Sequence, residues 1–156
     1  EIAWNPSGDA LICRAGIPLV LGRHGLTAIE LGVDEGHFSG QLLASSEHIA
    51  QLYSVDAWSD RTRGHGHEQY MRAIRFLSLY RHRNTILRAT FEEALDFFQD
   101  GFFDLVYIDG YAHTGQDGGQ TLEKWWRKVK SGGMLAGHDY DIQNWPLTYH
   151  NVNVFA

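Results

Sequence analysis

Thr27-Ala28-Ile29-Glu30-Leu31-Gly32-Val33-Asp34-Glu35-Gly36-His37-Phe38-Ser39-Gly40 is the stretch on which the reading of this chain turns. Ile29 and Leu31 fit a buried strand, and the residues from Phe38 onward can open a helix. Between them glycine recurs at Gly32, Gly36 and Gly40. Glycine permits a tight turn and lets a ligand approach the backbone where a Cβ would block it. A strand, turn and helix of this kind is where open α/β sheets hold nucleotide-like ligands. The spacing narrows the ligand. A dinucleotide fingerprint starting at Gly32 needs glycine at 34 and 37, where Asp34 and His37 stand. That disfavours an NAD-dependent oxidoreductase. No Gly-Lys-Ser/Thr follows, so a phosphate-cradling loop is absent as well.

Outward from this turn the pattern alternates. Strands are expected at 27–32, 51–56, 84–89, 103–108 and 134–137. Helices are expected at 38–45, from about 67 to 80, at 91–99 and at 119–130. Thr90 and Glu93 form a capping-box pair for the third of these, and Ser131-Gly132-Gly133 closes the fourth. Residues 17–22 form a short helix or strand packed on the sheet, and 151–155 reads as a last strand. Alternation of this kind implies a Rossmann-like, doubly wound, mostly parallel sheet with helices on both faces.

The length of 156 residues fits one domain spanning 1–156. A net charge of -6 argues against generic nucleic-acid binding. Arg72, Arg75, Arg81, Arg83 and Arg88 do cluster, and they read as a solvated helix face. No apolar run approaches the roughly 18 residues that a membrane span needs. The first residues lack the basic start and apolar core of a signal peptide. Cys13 is alone, which excludes an internal disulfide framework and fits a reducing compartment. A cytoplasmic protein is expected.

Several acids and histidines fall where the strands end. Asp56 closes the second strand beside the glycine turn, where a carboxylate can accept both hydroxyls of a ribose. Capping of its own turn is the plainer use of such a residue. Trp58 either shields a ligand or fills core. Asp109, His113, His138 and Asp139 follow the fourth and fifth strands, at the edge where open α/β folds bind ligands. Four ionisable groups at one edge suit proton abstraction or a divalent metal.

The acid-x-Gly-x-x-x-Gly of Glu30, Gly32 and Gly36 resembles motif I of the class I S-adenosylmethionine-dependent methyltransferases. Ile108-Asp109-Gly110 with His113, followed by Gly132-Gly133-Met134-Leu135-Ala136-Gly137-His138-Asp139-Tyr140, resembles one family of them, marked by I-D-G-x-x-H and G-H-D-Y. The likeness spans 28–140, with five elements in the expected order. It implies S-adenosylmethionine as cofactor, held by Glu30, Gly32, Val33, Gly36, His37, Phe38, Asp56, Ala57, Trp58, Thr90, Phe91 and Asp109. Thr90 falls where the superfamily contacts adenine, and helix capping explains it equally well.

Two mechanisms stay open. In one, the catalytic residues Asp109 or His113 deprotonate an acceptor hydroxyl, a task suited to histidine's near-neutral pKa. In the other, Asp109, His138 and Asp139 hold a divalent metal such as Mg²⁺, as related metal-dependent O-methyltransferases do. His138 departs from the two oxygen donors common there. Asp109 could instead face only the cofactor's amino group. The loop 59–68 carries His65 and His67 but no zinc spacing, and reads as a lid or acceptor loop.

The expected activity is O-methylation of a small-molecule acceptor, a hydroxylated compound such as a sugar or secondary metabolite. A non-catalytic cofactor- or partner-binding module is the alternative. The family normally adds a helix and two strands after the fifth strand, whereas only 141–156 remain here. Two expectations stay open: the sheet is truncated on that side, with an edge open to pairing in a homodimer, or residues are missing after the fifth strand.

Overall fold

Burial on both faces is what the apolar runs at 26–31 and 103–108 demand, and a parallel sheet between helical layers supplies it. The computed structural model describes residues 2–3, 12–45, 47–59, 65–110 and 118–155. Strands β1 (Ile2–Ala3) and β2 (Ile12–Cys13) make a small antiparallel pair. The main sheet holds β3 (Leu26–Leu31), β4 (Ile49–Asp56), β5 (Asn84–Arg88), β6 (Phe103–Ile108) and β7 (Val129–Gly137). Their order is β5-β4-β3-β6-β7 and every pairing is parallel. The chain thus lays strands outward from β3, then returns to its other side for β6 and β7. The reversal between β3 and β6 is a topological switch point, where such sheets open a crevice for ligands.

Among the described residues six α-helices accompany the sheet: α1 (Ile17–Val20), α2 (His37–Ser45), α3 (His67–Leu77), α4 (Phe91–Leu95), α5 (Gln120–Trp126) and α6 (Pro146–Phe155). Ile29, Leu31, Val106 and Ile108 face Ala94, Leu122 and Trp125 on one side. Ala28, Leu52, Leu105 and Tyr107 face Ile17, Phe38 and Leu42 on the other. The expected doubly wound architecture is therefore present, with the short 17–22 segment forming α1 against the core. Among the described residues no helix is long and apolar enough to cross a membrane.

Three boundaries differ from expectation for physical reasons. The helix expected over 119–130 ends at Trp126, and Val129 already pairs with Phe103 in β7. Ser131-Gly132-Gly133 is accordingly a bulge inside a strand rather than a helix stop. The pairing steps from Phe103↔Val129 to Leu105↔Met134, with Gly132 at φ +74°. The strand expected at 151–155 is the second half of α6. Its alternating Val152 and Val154 mimic a strand, but Pro146 opens the segment as a helix and Thr148 is buried. Val152 and Phe155 pack on the core, while Val154 points to solvent. The helix expected at 91–99 stops at Leu95, after which Phe98, Phe102 and Phe103 join a cluster of rings around Tyr53.

Arg72, Arg75, Arg81 and Arg88 are exposed, as expected of a solvated segment, and Arg83 is half-buried. Arg83 donates to the carbonyls of Leu43 and Ile49, and Arg88 to those of Ala57 and Trp58. Arg72 bridges Glu35 and Glu68 on the surface.

Candidate active site at the carboxyl edge of the sheet

The turn after β3 is built around Gly32. At φ +95° it lies against the backbone beyond β6, and a Cβ there would sit 2.6 Å from the Asp109 carbonyl oxygen. Gly36 takes a positive φ as well, +85°, and with Gly40 it has a further reason. A Cβ on Gly36 would meet Leu77, and one on Gly40 would meet the Phe76 ring, so both let α2 close on α3. The four-residue glycine spacing therefore combines two turn positions with a helix-packing face.

Asp56 clasps this turn. One carboxylate oxygen accepts the Val33 and Asp34 N–H groups at 3.0 Å, and the other accepts Trp58 N–H at 2.9 Å. The Trp58 indole N–H donates back to the Asp34 carbonyl at 2.8 Å. Its ring is only 1% exposed and tilts against Tyr70, so Trp58 is core beneath the turn. Ionised carboxylate offers about four lone-pair sites. Among the described residues three backbone N–H groups donate to it.

Glu30 is buried below the turn. Its carboxylate accepts the Ser39 hydroxyl, Ser39 meets Ser54 at 2.8 Å, and Asn84 donates to Ser54 at 2.8 Å. Burial pushes the Glu30 carboxyl up to about 8. Asp109 and Asp56 raise it further, while the Ser39 hydroxyl and Arg14 oppose them.

One strand away, Asp109 donates its N–H to Leu31 and His138 donates its N–H to Ile108, which fixes both loops to the sheet. The His138 Nδ1 lies 3.5 Å from the Asp109 carboxylate and is paired with Asp139 as well. Asp109, His138 and Asp139 can each place one ligand atom within 4.8 Å of the others. Asp139 is held at φ +61°, in the left-handed region that Asp tolerates better than most residues with a side chain. The other non-glycine residues with positive φ among the described residues are Asp34 and Trp58, so all three lie at this edge.

Arg14 escaped sequence reading. Its guanidinium sits 4.4 Å over the Phe38 ring and 3.5 Å from the Asp109 carboxylate. It also bonds the buried Tyr107 hydroxyl, which burial and then Asp109 keep protonated well above the usual tyrosine range. No periodicity marks Arg14; only the tertiary path of the 14–16 turn brings it here.

Thr90 caps α4 as expected, accepting Glu93 N–H at 3.1 Å while the Glu93 carboxylate accepts Thr90 N–H at 2.8 Å. The Phe91 ring contacts the backbone at Gly110, since a Cβ there would lie 2.8 Å from it. Val33 is buried, Ala57 half-buried, and His37 exposed beside Glu35 and Phe76. His113 lies outside the described residues, as does 60–64 of the expected lid. His65, at its end, pairs with Asp34 at 3.1 Å.

A family model described as a methyltransferase domain matches residues 29–140. The protein y4gI of Sinorhizobium fredii (strain NBRC 101917 / NGR234), itself uncharacterized, is 31% identical over 121 residues. That match takes in 74% of this chain but only 13% of the relative's length. Among solved structures, a proposed caffeoyl-CoA O-methyltransferase from Staphylococcus aureus superposes with a TM-score of 0.66 at 15% identity, covering 90% of this chain and 69% of that one. Precorrin 8w decarboxylase from Methanobacterium thermoautotrophicum gives 0.65 at 16% identity, covering 99% and 78%. A SAM-dependent methyltransferase from Geobacter sulfurreducens, in complex with S-adenosyl-L-homocysteine, gives 0.55 at 16% identity, covering 77% and 43%. At these identities the structural likeness establishes the fold.

Proposed function

The chain belongs to the methyltransferase-domain family, and we propose that it transfers a methyl group from S-adenosylmethionine to an oxygen of a small hydroxylated molecule. The observation that carries this reading is the double use of Asp109. Its backbone packs on Gly32 of the turn after β3, and its carboxylate belongs to the cluster with His138 and Asp139. Donor and acceptor sites that share a residue hold their ligands in contact, and alignment supplies most of the rate in a direct displacement.

In this reading the nucleoside lies over the clasped turn of Gly32, Val33 and Asp34, with Asp56 taking a ribose hydroxyl. Gly36, His37, Phe38, Ala57, Thr90 and Phe91 surround it, and Trp58 supports it from beneath. The carboxylate of Asp109 favours a cationic sulfonium nearby. Asp109 accepts the acceptor's proton, directly or with His113. The donor set of Asp109, His138 and Asp139 also fits a divalent cation. Its imidazole suits Mn²⁺, Fe²⁺ or Zn²⁺ better than strict Mg²⁺. Such an ion would lower the pKa of a bound acceptor hydroxyl.

Calorimetric titration tests the cofactor, and labelled methyl transfer into a metabolite extract, with and without chelator, tests the activity and the metal. S-Adenosylhomocysteine is expected to bind and NAD not to. Failure of the first overturns the reading, and binding without transfer leaves a non-catalytic module. Asp56→Asn is expected to weaken S-adenosylhomocysteine by about 10- to 100-fold, the loss of one or two charge-assisted hydrogen bonds. Unchanged affinity would assign Asp56 to the turn alone.

A further inference from the structure

Beside the Asp109 cluster, between the sheet and helices α5 and α6, lies a cavity of about 230 Å³. Ile108 and Leu135 form its floor, Trp126 one wall, and Val152 and Phe155 another. The Trp126 and Phe155 rings meet edge to face, with centroids 6.1 Å apart. Apart from the Trp126 indole N–H, the polar side-chain groups in its lining are those of His138 and Thr148. His138 ties the cavity to the Asp109 cluster. Thr148 is 3% exposed, and its hydroxyl is the one buried side-chain polar atom found without a hydrogen-bond partner among the described residues.

An orphaned hydroxyl in an apolar wall costs stability, and valine would fill the same space without that cost. Its position in a cavity that opens toward His138 gives it a use as a ligand contact. We propose that this cavity is the acceptor pocket, and that it takes a hydroxylated apolar ring compound rather than a sugar. This rests on the methyltransferase reading above and deepens it. A sugar would bury four or five hydroxyls where the side chains of the walls offer three polar partners, Trp126, His138 and Thr148, and each unpaired group is expensive. A dry apolar cavity of about 150 Å³ accommodates benzene, so the larger volume here admits a substituted or bicyclic ring. One polar atom of the ligand bonds Thr148, and another is directed past His138 toward Asp109.

The probes are 2-naphthol and naphthalene, followed by fluorescence, with methyl α-glucoside as the polar control and S-adenosylhomocysteine as a separate titrant. Wild type is expected to bind both ring probes and not the glucoside. Thr148→Val is expected to weaken 2-naphthol three- to tenfold and leave naphthalene within twofold. Val152→Trp, which fills the cavity, is expected to abolish both. S-Adenosylhomocysteine affinity should stay within twofold in each variant, which also shows that the variants fold. Equal binding of 2-naphthol by wild type and both variants overturns the pocket, as does preference for the glucoside. If S-adenosylhomocysteine binds and the ring probes do not, the pocket falls and the methyltransferase reading stands. If Thr148-dependent naphthol binding occurs without S-adenosylhomocysteine binding, the pocket stands and the cofactor reading falls.

Discussion

Strand β6 carries an aspartate near each end, and the two are treated oppositely. Asp104, at the amino end, is 5% exposed and fully compensated. Arg23 and Lys130 each donate to it at 2.8 Å and the Thr27 N–H at 2.9 Å. Burial alone would raise its pKa, yet Lys130, Thr27 and Arg23 outweigh that and hold it below the ordinary aspartate range. At the carboxyl end, Asp109 lies near two other acids, Glu30 and Asp139, with Arg14 3.5 Å away. The three non-glycine residues with left-handed backbone are all here too. One end of the sheet satisfies its charges for stability. The other leaves acids crowded and backbone strained, which is how functional sites differ from structural ones.

The comparison breaks most visibly at Asp109. Asp109→Asn is expected to lower methyl transfer by about 10²- to 10⁴-fold, the range for loss of a general base. Thermal stability should hardly change. If activity survives, Asp109 serves only to position the cofactor.

Opposite pH responses sharpen the contrast. Glu30 titrates near 4.5 unfolded and about 8 folded, so the folded state binds the extra proton between those values. Its contribution to stability is complete below about pH 4.5 and declines as pH rises through about 8, flattening above. A span of about 3.5 pH units, at about 1.4 kcal/mol each, sets an upper bound of about 5 kcal/mol. Glu30→Gln should flatten the slope of chemical-denaturation midpoints from pH 5 to 9. Asp104 has the reverse sign: its contribution is present above the ordinary aspartate pKa and is lost as pH falls below it.

Asp104→Asn is expected to cost about 1–3 kcal/mol in urea denaturation, since Arg23 and Lys130 can still reach water. S-Adenosylhomocysteine affinity should stay within twofold. A large affinity loss would show that the two ends are coupled through β6. The smallest effect belongs to Thr90→Ala, which should cost about 1 kcal/mol as a lost helix cap. Thr90→Ser should restore it. An affinity loss that serine also restores would add a ligand contact to the cap.

Where burial alone decides structure, the chain was readable. Phe103–Ile108 is buried at every position and was bounded correctly from its apolar run. The capping box at Thr90 and Glu93 was equally plain because its chemistry is local. Segments whose pattern admits two periods were misread, as when Val152 and Val154 imitated a strand within α6. Gly132-Gly133 marked an interruption without saying of what. At the site, Asp109, His138 and Asp139 were placed together because neighbouring strands end there. Arg14 and Thr148 were illegible, since each reaches its place through contacts distant in sequence. The cap that Asp56 makes on its own turn at Trp58 was anticipated, but its reach across to the Val33 and Asp34 amides was not.

The absent side chain at position 32 has a mechanical consequence. Two strand ends approach there until only a hydrogen atom separates them, and under the proposed function that approach gauges how far apart donor and acceptor are seated. Even alanine would wedge the carboxyl edge open, and the proposed transfer would then have a longer path to cross.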